Sequence, residues 1–253
     1  MTAIALVGRR FLPRGWMDLL RQFAIWFGFL LAYQLVRGVA DRDPTRAFSN
    51  GLAVIKVEKH VNAFFELTLQ RLVDGSDALM WLVSFTYWNS EFTVVGLALL
   101  WVYLRRNEHF VRLRNWILAA NVIGLAGYAL LPTAPPRMFP DLGFGDTLSQ
   151  FGALNHGSGL IEFASNPYAA MPSLHAADAL IVGVSLALIC RRWWSRALWL
   201  LWPAWVWFVV MATGNHFLLD IVAGVIVASI AAAVVFRVRW LNGRRSETEP
   251  ATT

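Results

Sequence analysis

Six apolar stretches alternate along this chain with short segments rich in arginine, and few folds other than a membrane-spanning helical bundle accommodate that alternation. A helix needs about 20 residues to cross the hydrocarbon of a bilayer. Trp16 to Val39, Ala78 to Leu104, Trp116 to Leu131, Ser173 to Cys190, Ala197 to Thr213 and Leu218 to Val238 are windows of that order. With 57% hydrophobic and only 15% charged residues, the chain is too apolar for a soluble domain of this size. The expected fold is therefore all-α, a polytopic membrane protein with six transmembrane helices.

The placement of charge gives the topology. Arg9, Arg10 and Arg14 precede the first window; Arg105, Arg106, Arg112 and Arg114 lie between the second and third. Arg191, Arg192 and Arg196 separate the fourth and fifth, and Arg237, Arg239, Arg244 and Arg245 follow the sixth. Six crossings put these segments on one side, so the positive-inside rule predicts a cell-membrane protein with both termini cytoplasmic. The net charge of +6 is explained by this placement and does not require a nucleic-acid partner. The apolar patch Ala3 to Val7 is too short for a cleaved signal. A lone cysteine, Cys190, excludes an internal disulfide. With no repeat or low-complexity segment, one domain is expected over residues 16–240, between a basic arm (1–15) and a polar, disordered tail (241–253).

Between the first two windows, Ala47 to Val73 combines apolar positions with a polar stripe of Lys56, Lys59, His60, Glu66 and Gln70. This pattern predicts an amphipathic helix lying in the interface, with the stripe, His60 included, solvated. His109 is expected in a solvated loop. Pro132, Pro135 and Pro136 stop the third helix, and Asp141 to Asn166, containing His156, forms a long loop of the kind that serves as a lid or binding segment.

Polar groups collect at three points on the predicted outer side. His216 and Asp220, four residues apart, share a helix face, so the carboxylate can hold one ring nitrogen and leave the other as nucleophile or base. The same spacing suits a structural pair or two metal ligands. Ser173 can cap the fourth helix after Pro172 and leave an anion-binding helix start. His175, in its first turn, can pass a proton to a leaving oxygen, or simply bond a loop carbonyl. Arg137 offers a planar fork for phosphate, or snorkels to headgroups. Asp178, a turn deeper, is a functional candidate as an intramembrane carboxylate, or pairs with a neighbouring helix.

Taken in order, PPRM, AAMPSLHAAD and GNHFLLDIVAG resemble the motifs of the type-2 phosphatidic acid phosphatase superfamily, and more narrowly its inositolphosphotransferase, inositol phosphorylceramide synthase-like branch. The general form is Lys-x6-Arg-Pro, Pro-Ser-Gly-His and Ser-Arg-x5-His-x3-Asp. Here Leu130 and Met138 replace the lysine and proline around Arg137, Leu174 replaces the glycine, and Val209 and Val210 replace the Ser-Arg pair. The resemblance implies a lipid phosphatase or phosphotransferase acting on a lipid phosphate or phospholipid headgroup without metal or other cofactor. Its site would face away from the cytoplasm, and inositol is a possible acceptor alcohol. It assigns His216 as the nucleophile that forms a phosphohistidine, Asp220 as its tautomer partner and His175 as proton donor. Arg137 and Ser173 would steady the phosphate, with Asn89 of YWNSEF and Asn166 assisting where family cations are missing. Two alternatives lie outside this family: a zinc hydrolase using His175, His216, Asp220 and Asp178, and a headgroup binder or transporter without catalysis.

Overall fold

The computed structural model describes residues 12–40, 43–151 and 167–248. Among these no strand forms; an isolated parallel bridge pairs Thr133 with Ala169. The helices are α1 (Gly15–Ala40), α2 (Pro44–His60), α3 (Glu66–Asp74), α4 (Asp77–Asn89) and α5 (Val95–Arg105). They continue with α6 (Asn107–Leu130), α7 (Thr147–Phe151), α8 (Leu174–Ile189), α9 (Trp193–Ala212) and α10 (Leu218–Thr248). A π-helical turn, Ser90–Val94, joins α4 to α5. Each apolar window falls on helical structure, the second being divided among α4, the π turn and α5. Two of the helices, Trp193–Ala212 and Leu218–Arg237, are long and apolar enough by length and composition to cross a membrane.

The bundle is organised around α8, which packs on α6, α9 and α10. Leu113, Ile117, Ala177, Ile181, Val227, Ala228 and Ala231 are buried together at the α6–α8–α10 contact, and Trp116 adds a hydrogen bond from its indole N–H to Ala228 O at 2.7 Å. On α10 the inward residues Ile221, Val227, Ala228 and Ala231 contrast with an exposed row of Val222, Ile226, Ile230 and Val234. A helix that is apolar inside and outside suits a hydrocarbon surround.

Three expectations are corrected. The region 47–73 is two helices, because Asn62 turns into the left-handed conformation (φ 56°) after α2 and breaks the run. Its polar stripe is not uniformly solvated: Lys56, Lys59 and His60 are exposed, whereas Glu66 and Gln70 are buried, because backbone groups of other segments bond them. The loop drawn between the second and third windows shrinks to Arg106, and Arg112, Arg114 and His109 ride on α6; once a helix is nucleated each added residue gains a backbone hydrogen bond, so it extends beyond the apolar window. The last helix, α10, runs to Thr248, with no proline before Pro250.

Candidate active site

The site lies at one end of the bundle, where α8 and α10 both begin and α6 ends. Beyond α6 the prolines hold an extended segment that is pinned on both sides. Thr133 N–H donates to Tyr168 O (2.8 Å), Ala170 N–H to Thr133 O (3.2 Å) and Ala134 N–H to Ala47 O (3.0 Å). This lattice delivers Ala170 to His216.

Ser173 is the N-cap of α8; its Oγ accepts from Ala176 N–H at 3.3 Å. Its own N–H donates to Asp220 O at 2.9 Å, fastening the start of α8 to α10. The fastening needs Gly224: a Cβ there would stand 2.3 Å from Ser173 O.

His216 and Asp220 are both buried. Nδ1 of His216 lies 2.9 Å from Ala170 O and 3.5 Å from Asp220 Oδ2, and Asp220 Oδ2 accepts from Phe217 N–H at 2.8 Å. A carbonyl oxygen only accepts, so Nδ1 carries the proton and Nε2 the lone pair. The nearer partner of the ring is thus the backbone, with the carboxylate behind it.

His175 stacks on Tyr87 at 4.6 Å between centroids, and its Nε2 lies 3.2 Å from Glu91 Oε2. Its ring centroid is 5.8 Å from that of His216. The two imidazoles therefore stand beside each other at the joined starts of α8 and α10.

Glu91 was not among the residues singled out in the sequence, although it stands beside one that was. It sits in the π turn, which inserts an extra residue into the helix and re-aims the side chains that follow. The preceding turn prepares this: Thr86, Asn89 and Ser90 bond back to the carbonyls of Leu82, Phe85 and Tyr87, a habit that bends helices. Asn89 therefore turns its amide onto its own helix. The signal that points to Glu91 is an acidic residue in an apolar window, the same rule that singled out Asp178.

Arg137 donates its backbone N–H to Gly214 O (2.8 Å), and its Nη1 to Asn215 Oδ1. Asn215 is held in turn by Thr213, its Nδ2 donating to Thr213 Oγ1 at 2.9 Å. Gly214 takes φ +69°, a conformation that costs a side chain free energy, and so bends the chain between Thr213 and His216. Asp178 is bonded by Asn121 Nδ2 of α6 at 3.0 and 3.1 Å, the neighbouring-helix partnership rather than a place beside the histidines. Asn166 lies outside the described residues. Among the described residues no group of three His, Cys, Asp or Glu side chains is arranged to hold a metal ion.

The PAP2 superfamily model matches residues 52–234, most of the chain and all of the described site. The chain belongs to the PAP2 superfamily. It is 30% identical over 134 residues to the phosphoinositol dihydroceramide synthase of Bacteroides thetaiotaomicron, a match spanning 48% of this chain and 44% of that protein. The chain thus covers less than half the length of this relative. A crystal structure of LpxE from Aquifex aeolicus aligns with a TM-score of 0.49 at 17% identity, over 68% of this chain and 94% of that one. At the family's Ser-Arg positions, Val209 and Val210 are fully buried, and Val210 O accepts from both Asn215 N–H and His216 N–H. Leu130, at the family's lysine position, is exposed; its carbonyl accepts from Arg46 Nη2 at 2.7 Å.

Proposed function

We propose that this PAP2 superfamily member is a phosphotransferase of the membrane, moving a phosphoryl or phosphodiester headgroup from a lipid to an acceptor hydroxyl through a covalent intermediate on His216. The observation that carries this is the pair of imidazoles 5.8 Å apart at the joined starts of two helices. With Nδ1 held by Ala170 O, Nε2 of His216 attacks phosphorus, the bond from phosphorus to the lipid oxygen breaks, and His175 gives that oxygen its proton. In the second half His175 takes the proton of the acceptor hydroxyl, the hydroxyl oxygen attacks phosphorus, and the phosphorus–nitrogen bond breaks. Glu91 accepts from Nε2 of His175 and so acts as a positioning residue, leaving Nδ1 to exchange the proton. Asp220 supports the charge that grows on His216. Arg137, Ser173 and the first amides of α8 stabilise the phosphate oxygens. Arg46 supplies, at the end of α6, a cation where the family pattern has its lysine.

All six long helical stretches cross the bilayer in this account, with both termini cytoplasmic, α2 and α3 in the outer interface and the site facing outward. An alcohol acceptor is favoured over water because the relative is named for a phosphoinositol-bearing ceramide product. Purified protein offered a panel of lipid phosphates and phospholipids, with and without inositol or a ceramide as acceptor, should form a product in which the phosphorus group joins the alcohol, as read by mass spectrometry. Release of phosphate or headgroup to water alone, whatever alcohol is supplied, would overturn the transferase assignment.

A further inference from the structure

Glu58 on α2 and Glu66 on α3 are both fully buried. They come from different helices, yet meet at the first turn of α10. Glu66 Oε1 accepts from Leu218 N–H at 2.9 Å, and Glu58 Oε1 from Leu219 N–H at 2.8 Å. A helix start leaves such N–H groups without partners in its own backbone and carries partial positive charge, so one carboxylate there is well placed. Two, taken out of water side by side, repel each other at a cost that a helix terminus does not offset. The remaining oxygens, Glu58 Oε2 and Glu66 Oε2, are buried with no N–H or O–H donor among the described residues. Buried acceptors of this kind are nearly always satisfied.

We propose that Glu58 and Glu66 share one proton between their Oε2 atoms and together clamp the start of α10, acting as positioning residues for Asp220 and His216. A single proton satisfies both oxygens and leaves one negative charge facing the helix start. The clamp sits immediately after His216, on the residues that precede Asp220. Movement of Leu218 and Leu219 would carry the nucleophile and its carboxylate with it. The functional consequence rests on His216 being the nucleophile, whereas the shared proton does not.

Burial and the neighbouring Glu66 carboxylate push the Glu58 carboxyl up to about 8, so the proton stays in place at neutral pH. The charged groups acting on it are Glu66 from α3 and Asp220 from α10, both acidic; Lys56, Lys59 and His60 of its own helix are exposed. In the unfolded chain Glu58 releases its proton near 4.5. The folded state thus binds a proton that the unfolded state has lost, and stability falls as pH rises from about 4.5 to about 8.

The full-length protein in lipid nanodiscs tests this with two substitutions. Glu58→Gln puts an amide where the protonated carboxyl stands, able to accept from Leu219 and donate to Glu66. Its melting temperature at pH 7 should stay close to that of the unaltered protein and lose this downward trend with pH. Its kcat should stay within about twofold, whereas Glu58→Ala should lower kcat about tenfold to a hundredfold through misplacement of His216, with KM little changed. An infrared difference spectrum, unaltered protein minus Glu58→Gln at pH 7, should show a protonated-carboxyl band that titrates away near pH 8. If Glu58→Gln is as damaging as Glu58→Ala, or the difference spectrum has no such band at pH 7, the shared proton is wrong. The infrared result needs no turnover, so its failure is distinct from a failure of the catalytic assignment, which shows as His216→Ala retaining activity.

Discussion

At the scale of single residues the proposed reaction turns on which nitrogen of each histidine is free. Ala170 O fixes Nδ1–H on His216, and Glu91 holds Nε2 of His175. Replacing Glu91 with glutamine should therefore lower kcat by about 10²-fold, the scale of general acid–base catalysis, with KM little altered; steady-state kinetics on the substrate identified by the panel checks it. Arg137→Lys keeps the charge but loses the planar fork that bonds Asn215 and, in the proposed reaction, the phosphate, and it should raise KM by about tenfold or more. Histidine, aspartate and arginine at the ends of apolar windows were legible in the sequence, because polar groups in such places are costly and few. Glu91 was legible by the same rule and was passed over for its neighbour Asn89. Glu66 was not legible, because its place in the polar stripe is what a solvated face produces. Glu58 falls on the buried face of α2 with Gly51, Val54 and Ile55, and only the docking of α2 and α3 onto α10 brings the two carboxylates together.

At the scale of elements the site depends on how closely α8 and α10 approach. Gly224 permits the hydrogen bond from Ser173 N–H to Asp220 O, and a methyl there collides with Ser173 O, a backbone atom with little freedom to yield. Gly224→Ala should cost about 1–3 kcal/mol in stability, the usual scale for overpacking, with a loss of kcat. Gly28→Ala on α1, where an added Cβ meets nothing within 4 Å, should be neutral or slightly stabilising. Melting temperature and turnover of the two variants side by side separate a close-packing effect from a general one. Helix existence was readable from apolar runs of the right length, whereas the π turn and the break at Asn62 were not. Both arise from local hydrogen bonding and backbone conformation that a hydropathy pattern does not carry.

At the scale of the whole molecule, segments separated by up to 129 positions, from Glu91 to Asp220, are gathered at one end of one bundle. Their convergence could be anticipated because an even number of crossings between polar clusters returns the chain to the same side. The orientation of that end is testable with Cys190 replaced by serine and one new cysteine introduced at a time. Asp141→Cys should react with an impermeant maleimide on intact cells, and Arg192→Cys only after permeabilisation; the reverse pattern would invert the topology. The central claim, that His216 carries phosphorus during turnover, is tested most directly by rapid quenching with a phosphorus-labelled lipid donor and locating the label by mass spectrometry. The account predicts an acid-labile adduct on His216 that accumulates without acceptor, disappears when acceptor is added and is absent from His216→Ala. Turnover at near-normal rate in His216→Ala, or label on any other residue, would contradict it.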